Sequence, residues 1–242
     1  MRQPFLFGIG YGLMTPLSAQ ANVPTVCASC HERLQGPLVC SSCGKLQPAQ
    51  DTDYFALFGL PRKLWIEMSG LEQKFLQLSW KLHPDKFVNA SEEERELSLR
   101  RSSELNDAYR ALKDPVARVE YLLAIEGERK EGEKKQQAPP ELLEEVFELN
   151  ESLDELREAK AAGADVATLQ ARLQAAETNF GEKLAEVDQQ MQATAKDWDA
   201  AVDSEADEAA QKKIMTRLNE HLNRRAYIRN LVVSVEKELA EA

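Results

Sequence analysis

The chain has 242 residues, 29% of them charged and 7% aromatic, with a formal net charge of −11. An acidic balance of this size opposes general binding to nucleic acid or to an anionic membrane, and no run approaches the roughly 18 to 20 apolar residues of a membrane-spanning helix. Abundant alanine, leucine, glutamate and lysine favour helix over sheet, and the length admits one large or two small domains.

Residues 1–26 lack acidic side chains and hold a short apolar patch from Phe5 to Met14, followed by Ala19-Gln20-Ala21. This weakly imitates a secretory signal with its cleavage site. A single arginine, and a patch interrupted by Gly8, Gly10 and Gly12, fit a flexible arm better.

Cys27-x-x-Cys30 and Cys40-x-x-Cys43 contain every cysteine of the chain. Two such hooks bring four soft thiolates to the corners of a tetrahedron, which suits zinc and equally a single iron. Gly36-Pro37 supplies a turn between the hooks, and Gly44 relieves crowding after the second. Residues 27–46 are too few to bury a core, so the metal itself would hold this module together. Two disulfides would need an oxidising compartment, and a thioredoxin-like pair would need a βαβ pattern that neither hook has. One structural zinc on Cys27, Cys30, Cys40 and Cys43 is the expectation, with His31 a bystander beside them. Arg33 and Lys45 are the only basic residues in the module and no aromatic interleaves them, so the footprint of a nucleic-acid binder is missing.

Residues 53–125 read as one helical domain. Asp53 to Leu60 is a short apolar element whose Tyr54, Leu57 and Phe58 suit packing, and it stops at Gly59-Leu60-Pro61. Leu71, Phe75, Leu78 and Leu82 then recur at helical spacing and make one apolar stripe. Ser69-Gly70-Leu71-Glu72 has the form of a capping box at the start of that helix, and Pro84 must end it, because it pushes His83 out of the helical region. Lys74 and Lys81 fall away from the stripe. A second capping box, Ser91-Glu92-Glu93-Glu94, opens a helix that runs toward Asp114-Pro115 and buries Leu97, Leu105, Ala108 and Leu112. A tight loop between two antiparallel helices therefore presents His83 and Asp85 to solvent. A general-base role for that pair lacks its companions: there is no nucleophile elbow, no glycine-rich phosphate loop, and His31, His83 and His221 are scattered.

Residues 126–138 are charged, contain Gly127 and Gly132, and read as a flexible linker. Pro139-Pro140 then starts a helix with Leu142, Val146, Leu149, Leu153 and Leu156 on its apolar stripe, broken at Gly163. A second helix is expected from about Val166 toward Trp198 and a third from about Ser204 through Ile228 to Val235. Together they predict a three-helix bundle over residues 139–242. That segment holds 23 acidic against 12 basic residues, whereas residues 53–138 hold 16 against 15. Two blocks so different in charge suggest two surfaces for different partners.

The exposed His83-Pro84-Asp85 after a basic helix, followed by Leu105-Asn106-Asp107-Ala108-Tyr109, resembles the J domain of DnaJ-type co-chaperones. The segments from Asp53 to Pro61, from His83 to Phe87 and from Pro115 to Leu123 are similar to the HscB branch, which serves iron–sulfur cluster assembly. The resemblance covers residues 51–242. It implies an all-α protein with a J-domain helical hairpin, a C-terminal three-helix bundle and, as in a subset of the family that includes the mitochondrial forms, a four-cysteine extension. It implies a co-chaperone rather than an enzyme. The partner ATPase, of the DnaK/HscA type, would meet His83, Pro84 and Asp85, with Lys74, Lys81 and Lys86 as electrostatic contacts and hydrolysis as the outcome. The iron–sulfur scaffold protein would dock on Leu143, Phe147, Glu148, Glu151, Glu155 and Tyr227; Glu144 departs from the family by standing where an apolar contact is common. The compartment implied is the cytoplasm, or the mitochondrial matrix in a eukaryote. Two rivals remain: a general DnaJ-type co-chaperone for unfolded clients, which would carry a Gly/Phe-rich linker and cysteine repeats, and a dithiol redox protein.

Overall fold

The computed structural model describes residues 26–48, 52–129 and 139–240. Seven α-helices and two 3-10 turns make up these residues, with two isolated β-bridges and no strand among them. The expected arm up to residue 25, the linker from residue 130 to its end and the last two residues lie outside the described residues.

Helix α1, Tyr54–Leu57, is one turn capped by the Asp53 carboxylate, which accepts the Ala56 N–H at 2.8 Å. Gly59 follows with φ +62°, a conformation that glycine adopts without a Cβ penalty. Helix α2, Met68–Leu82, is capped by Glu67 and not by the Ser69 capping box. The Glu67 carboxylate accepts the Ser69 and Gly70 N–H groups at 2.9 and 2.6 Å, which puts Ser69 inside the first turn. A longer carboxylate reaches the same orphan donors from one residue before the helix. Leu71 and Leu82 are buried, with Phe75 and Leu78 packed beside them.

Helix α3, Glu92–Lys113, starts where its capping box predicts, with Ser91 Oγ accepting from the Glu94 N–H. Three glutamates in its first turn and Arg110 and Lys113 in its last complement the helix dipole. Asp114 then caps α4, Pro115–Ile125, through the Ala117 N–H at 2.7 Å. A 3-10 turn, Pro140–Leu142, leads into α5, Leu143–Ala161. Helices α6, Ala167–Asp203, and α7, Glu208–Ala240, form a long antiparallel hairpin. With 37 residues, α6 is about 55 Å long.

That length decides the architecture, because the α6–α7 hairpin serves two cores. One end packs with α5 as the expected three-helix bundle, around Leu149, Leu153, Leu156, Leu173, Phe180, Val187, Ile228 and Val235. The other end, with Met191, Trp198, Met215, Leu218 and Leu222, enters the core of α1 to α4. Leu38 and Leu46 of the cysteine module join that same core. The sequence suggests separate units strung on linkers, but the structure joins the module, helical hairpin and half the bundle in one apolar cluster.

Polar contacts reinforce the junction. Trp198 Nε1 donates to the Arg62 carbonyl at 2.8 Å, and the Asp199 carboxylate accepts the Leu64 and Trp65 N–H groups at 2.6 and 2.8 Å. Buried Arg118 donates to the carbonyls of Leu112 and Leu64. The described start of the expected linker is also pinned, since Arg129 donates to Asn219 and Asn223 on α7 at 2.8 and 3.0 Å.

Candidate functional site

Pro84 dictates the loop after α2. It removes an N–H and forces His83 to φ −56°, ψ 128°, so the helix ends and the chain turns into a 3-10 turn, Pro84–Phe87. His83 Nδ1 accepts the Asp85 N–H at 3.3 Å and lies 3.5 Å from the Asp85 carboxylate. The two side chains remain 52% and 85% exposed. Their local bonds shape the loop but leave their outer faces free for an external partner. Lys81 is exposed, and Lys86 Nζ sits 4.4 Å from the centre of the Trp80 ring as a cation–π pair. Lys74 is also exposed but already engaged, donating to the Phe58 carbonyl at 3.0 Å.

Leu76 and Trp80, 60% and 71% exposed, stand one turn apart on the outer face of α2. They escape a reading that looks only for basic residues beside the loop. Their signal was an apolar pair at i, i+4 off the core stripe, the same one that marks Leu143 and Phe147.

The cysteine module consists of two matching knuckles. Val26 bridges Arg33, and Val39 bridges Leu46. In each, the first cysteine N–H bonds across the turn, Cys27 to the Glu32 carbonyl at 2.8 Å and Cys40 to the Lys45 carbonyl at 3.0 Å. The residue after each second cysteine returns its N–H to the first, His31 to Cys27 and Gly44 to Cys40, both at 3.0 Å. Gly44 is needed for its φ of +74° and not for crowding alone, and His31 adopts the matching φ of +59°.

All four Sγ atoms lie within 4.8 Å of one another, with Cys27–Cys43 at 3.7 Å and Cys30–Cys40 at 3.6 Å. These separations far exceed a disulfide bond of about 2.05 Å. They match the edge, about 3.8 Å, of a tetrahedron with metal–sulfur bonds of about 2.3 Å. The N–H groups of Cys30 and Ser29 pull the Cys27 thiol down to about 6. The N–H of Cys43 likewise lowers Cys40. The Glu32 N–H pulls Cys30 down too, but burial and the thiols of Cys43, Cys40 and Cys27 push it up to about 12. Four thiols this close oppose one another's ionisation, and a bound cation relieves that opposition. The residues present therefore fit a metal ion.

On the acidic bundle, Leu143 and Phe147 are 54% and 70% exposed at the start of α5, off the stripe that carries Leu142, Leu149 and Leu153 into the core. Glu148, Glu151 and Glu155 are exposed along the same helix, with Glu155 paired to Arg172 at 2.9 Å. Tyr227 on α7 is half-buried against the bundle core.

A capped helix pair around an exposed His-Pro-Asp loop, beside an acidic helical bundle, is the arrangement that the J-domain resemblance implies. No protein-family model matches the chain. A "Co-chaperone protein HscB homolog" of Vibrio vulnificus (strain YJ016) is 32% identical over 170 residues, covering 70% of this chain and 94% of that protein. A second, from Vibrio parahaemolyticus serotype O3:K6 (strain RIMD 2210633), is 40% identical over 104 residues, covering 43% of this chain and 61% of that protein. Among solved structures, "Chaperone HscB from Vibrio cholerae" is similar at a TM-score of 0.57 and 28% identity, covering 78% of this chain and 99% of that one. The "Crystal structure of human co-chaperone protein HscB" reaches a TM-score of 0.60 over 90% of this chain and all of that one, and its 23% identity speaks to fold alone. The chain belongs to the HscB co-chaperone family.

Proposed function

We propose that this chain serves iron–sulfur cluster assembly by recruiting a DnaK/HscA-type ATPase and delivering the cluster scaffold protein to it. The exposure of His83 and Asp85 at a proline-fixed loop carries this reading, because both turn outward from a fold that does not use them as core. In this reading, the ATPase surface pairs with Lys81 and Lys86, meets His83-Pro84-Asp85, and contacts Leu76 and Trp80 at its apolar centre. Lys74 contributes once its bond to Phe58 yields. Charge complementarity sets encounter rate and orientation, and the loop contacts bias the ATPase toward hydrolysis.

The scaffold would dock at Leu143 and Phe147, rimmed by Glu148, Glu151 and Glu155, with Tyr227 contributing from α7. An exposed apolar pair ringed by charge is the form an interface anchor takes. The chain acts by binding and is not itself an enzyme. One zinc on Cys27, Cys30, Cys40 and Cys43 would hold the module, supplying structure rather than reaction chemistry. The working division is a module at 27–46, a J domain at 53–125 and a scaffold-binding bundle at 139–242. The working compartment is the cytoplasm, or the matrix if the source is eukaryotic.

The test uses a purified DnaK/HscA-type ATPase with chain and scaffold added separately and together. Stimulation by the chain, increased further by scaffold, is the expected result. Equal stimulation by an unfolded model client in place of scaffold would favour general chaperoning instead.

A further inference from the structure

One turn of α3, Ser98 to Ser102, is bonded on two sides. On the first, Ser98 Oγ and Ser102 Oγ donate to the Leu82 carbonyl at 2.6 and 3.1 Å. That carbonyl ends α2, and it has lost its helical partner because the Lys86 N–H turns to the His83 carbonyl at 3.0 Å. On the second side, the fully buried Arg101 guanidinium donates to the carbonyls of Gln47 and Pro48, and to Glu104 at 2.6 Å. Gln47 is itself buried in the cysteine module. Its side-chain amide donates to Cys27 Sγ at 3.4 Å and to the Lys45 carbonyl at 3.1 Å, and its oxygen accepts the Ala28 N–H at 3.3 Å.

We infer that the cysteine module props the turn of α3 that positions the His83-Pro84-Asp85 loop, so metal occupancy sets how firmly that loop is held. The coupling runs through Arg101. Leu38 and Leu46 anchor the module in the shared core, but its two knuckles depend on the metal, and once they loosen the Gln47 and Pro48 carbonyls leave the guanidinium. A buried cation short of partners is costly, so this turn of α3 opens toward water. Ser98 and Ser102 move with it, and the Leu82 carbonyl loses the hydroxyls that fix the exit of α2. His83 stays exposed, but its loop samples more orientations and fewer encounters are productive. Ser98, Arg101 and Ser102 are thus positioning residues. Their effect on the ATPase rests on the docking reading above, whereas the coupling within the chain does not.

The experiment compares the full chain loaded with Zn²⁺ and the same chain stripped by a chelator under reducing conditions. Hydrogen exchange should rise by about tenfold or more at residues 98–105 and 80–87, while residues 149–156 in the bundle stay unchanged. The stripped chain should need a higher concentration for half-maximal ATPase stimulation and keep the same maximum. Faster exchange confined to residues 26–48 would overturn the inference, and that comparison needs no variant. Ser98→Ala with Ser102→Ala, fully metal-loaded, should raise the half-maximal concentration without changing exchange in residues 26–48; an unchanged half-maximum would refute the positioning role. Arg101→Met should make exchange at residues 80–87 insensitive to metal, and persisting sensitivity would refute the proposed route. His83→Gln measured alongside separates the two readings: full stimulation by that variant would end the docking reading, while the exchange data still decide the coupling.

Discussion

Cutting Phe147 back to alanine tests the proposed scaffold surface. The side chain is 70% exposed in the free chain, so of about 200 Å² carried by a phenylalanine roughly 140 Å² is available to a partner. At about 25 cal/mol per Å² its burial is worth up to about 3.5 kcal/mol. Ordering and association costs absorb part of this, which leaves about 2 kcal/mol for truncation of one anchor and about a 30-fold loss of affinity. The bundle should not notice, because Leu142, Leu149, Leu153 and Leu156 form its core and Phe147 fills no cavity there. Its stability should stay within about 0.5 kcal/mol of the parent. Leu143→Ala, 54% exposed, should weaken binding further in the double variant. Titration calorimetry against the scaffold, beside a melting curve, reads both quantities. Unchanged affinity in a normally folded double variant would refute the assignment and leave the acidic face as solvation.

Three further outcomes follow from the fold and the cysteine site. Arg62→Ala strands the Asp53 and Glu126 carboxylates, 9% and 4% exposed; because Arg62 itself is partly solvated, the loss should be about 2 kcal/mol, seen as a melting point about 6 °C lower. Glu67 has its carboxyl pulled below its usual value of 4.5 by the Ser69 hydroxyl and the Ser69 and Gly70 N–H groups. Its contribution to stability is therefore present above that pH and lost as pH falls through the lowered value, so Glu67→Gln and the parent should differ at pH 6 and converge only once the pH has fallen below that lowered value in acid titrations. Purified chain should carry one metal ion with all four thiols shielded from alkylation until a chelator is added, and four rapidly alkylated thiols in metal-replete protein would contradict the site.

Periodicity made the long helices legible, including the α2 stripe from Leu71 to Leu82 and the α5 stripe from Leu142 to Leu156, but it did not mark α4, Pro115–Ile125, as a helix of its own. It could not show what covers each stripe. The apolar pattern of α6 runs unbroken from Leu173 to Trp198, so nothing local marks that its first half meets α5 and its second half meets the J domain. Arg101 and Arg118 were invisible for a different reason. Charged residues are normally exposed, and their burial depends on carbonyls roughly 50 positions away, at Gln47, Pro48 and Leu64. The helix start at Ser69 was misread because Glu67 competes for the same donors through a longer side chain. The loop and the cysteine hooks were readable because proline geometry and ligand spacing act within a few residues.

In the proposed function His83 is read from outside the fold. Steady-state ATP hydrolysis by a purified DnaK/HscA-type ATPase, titrated with His83→Gln and with the parent chain, tests it most directly. Stimulation should disappear while helical circular dichroism and melting temperature match the parent. Normal stimulation by a folded His83→Gln chain, or loss of the fold itself, would contradict it.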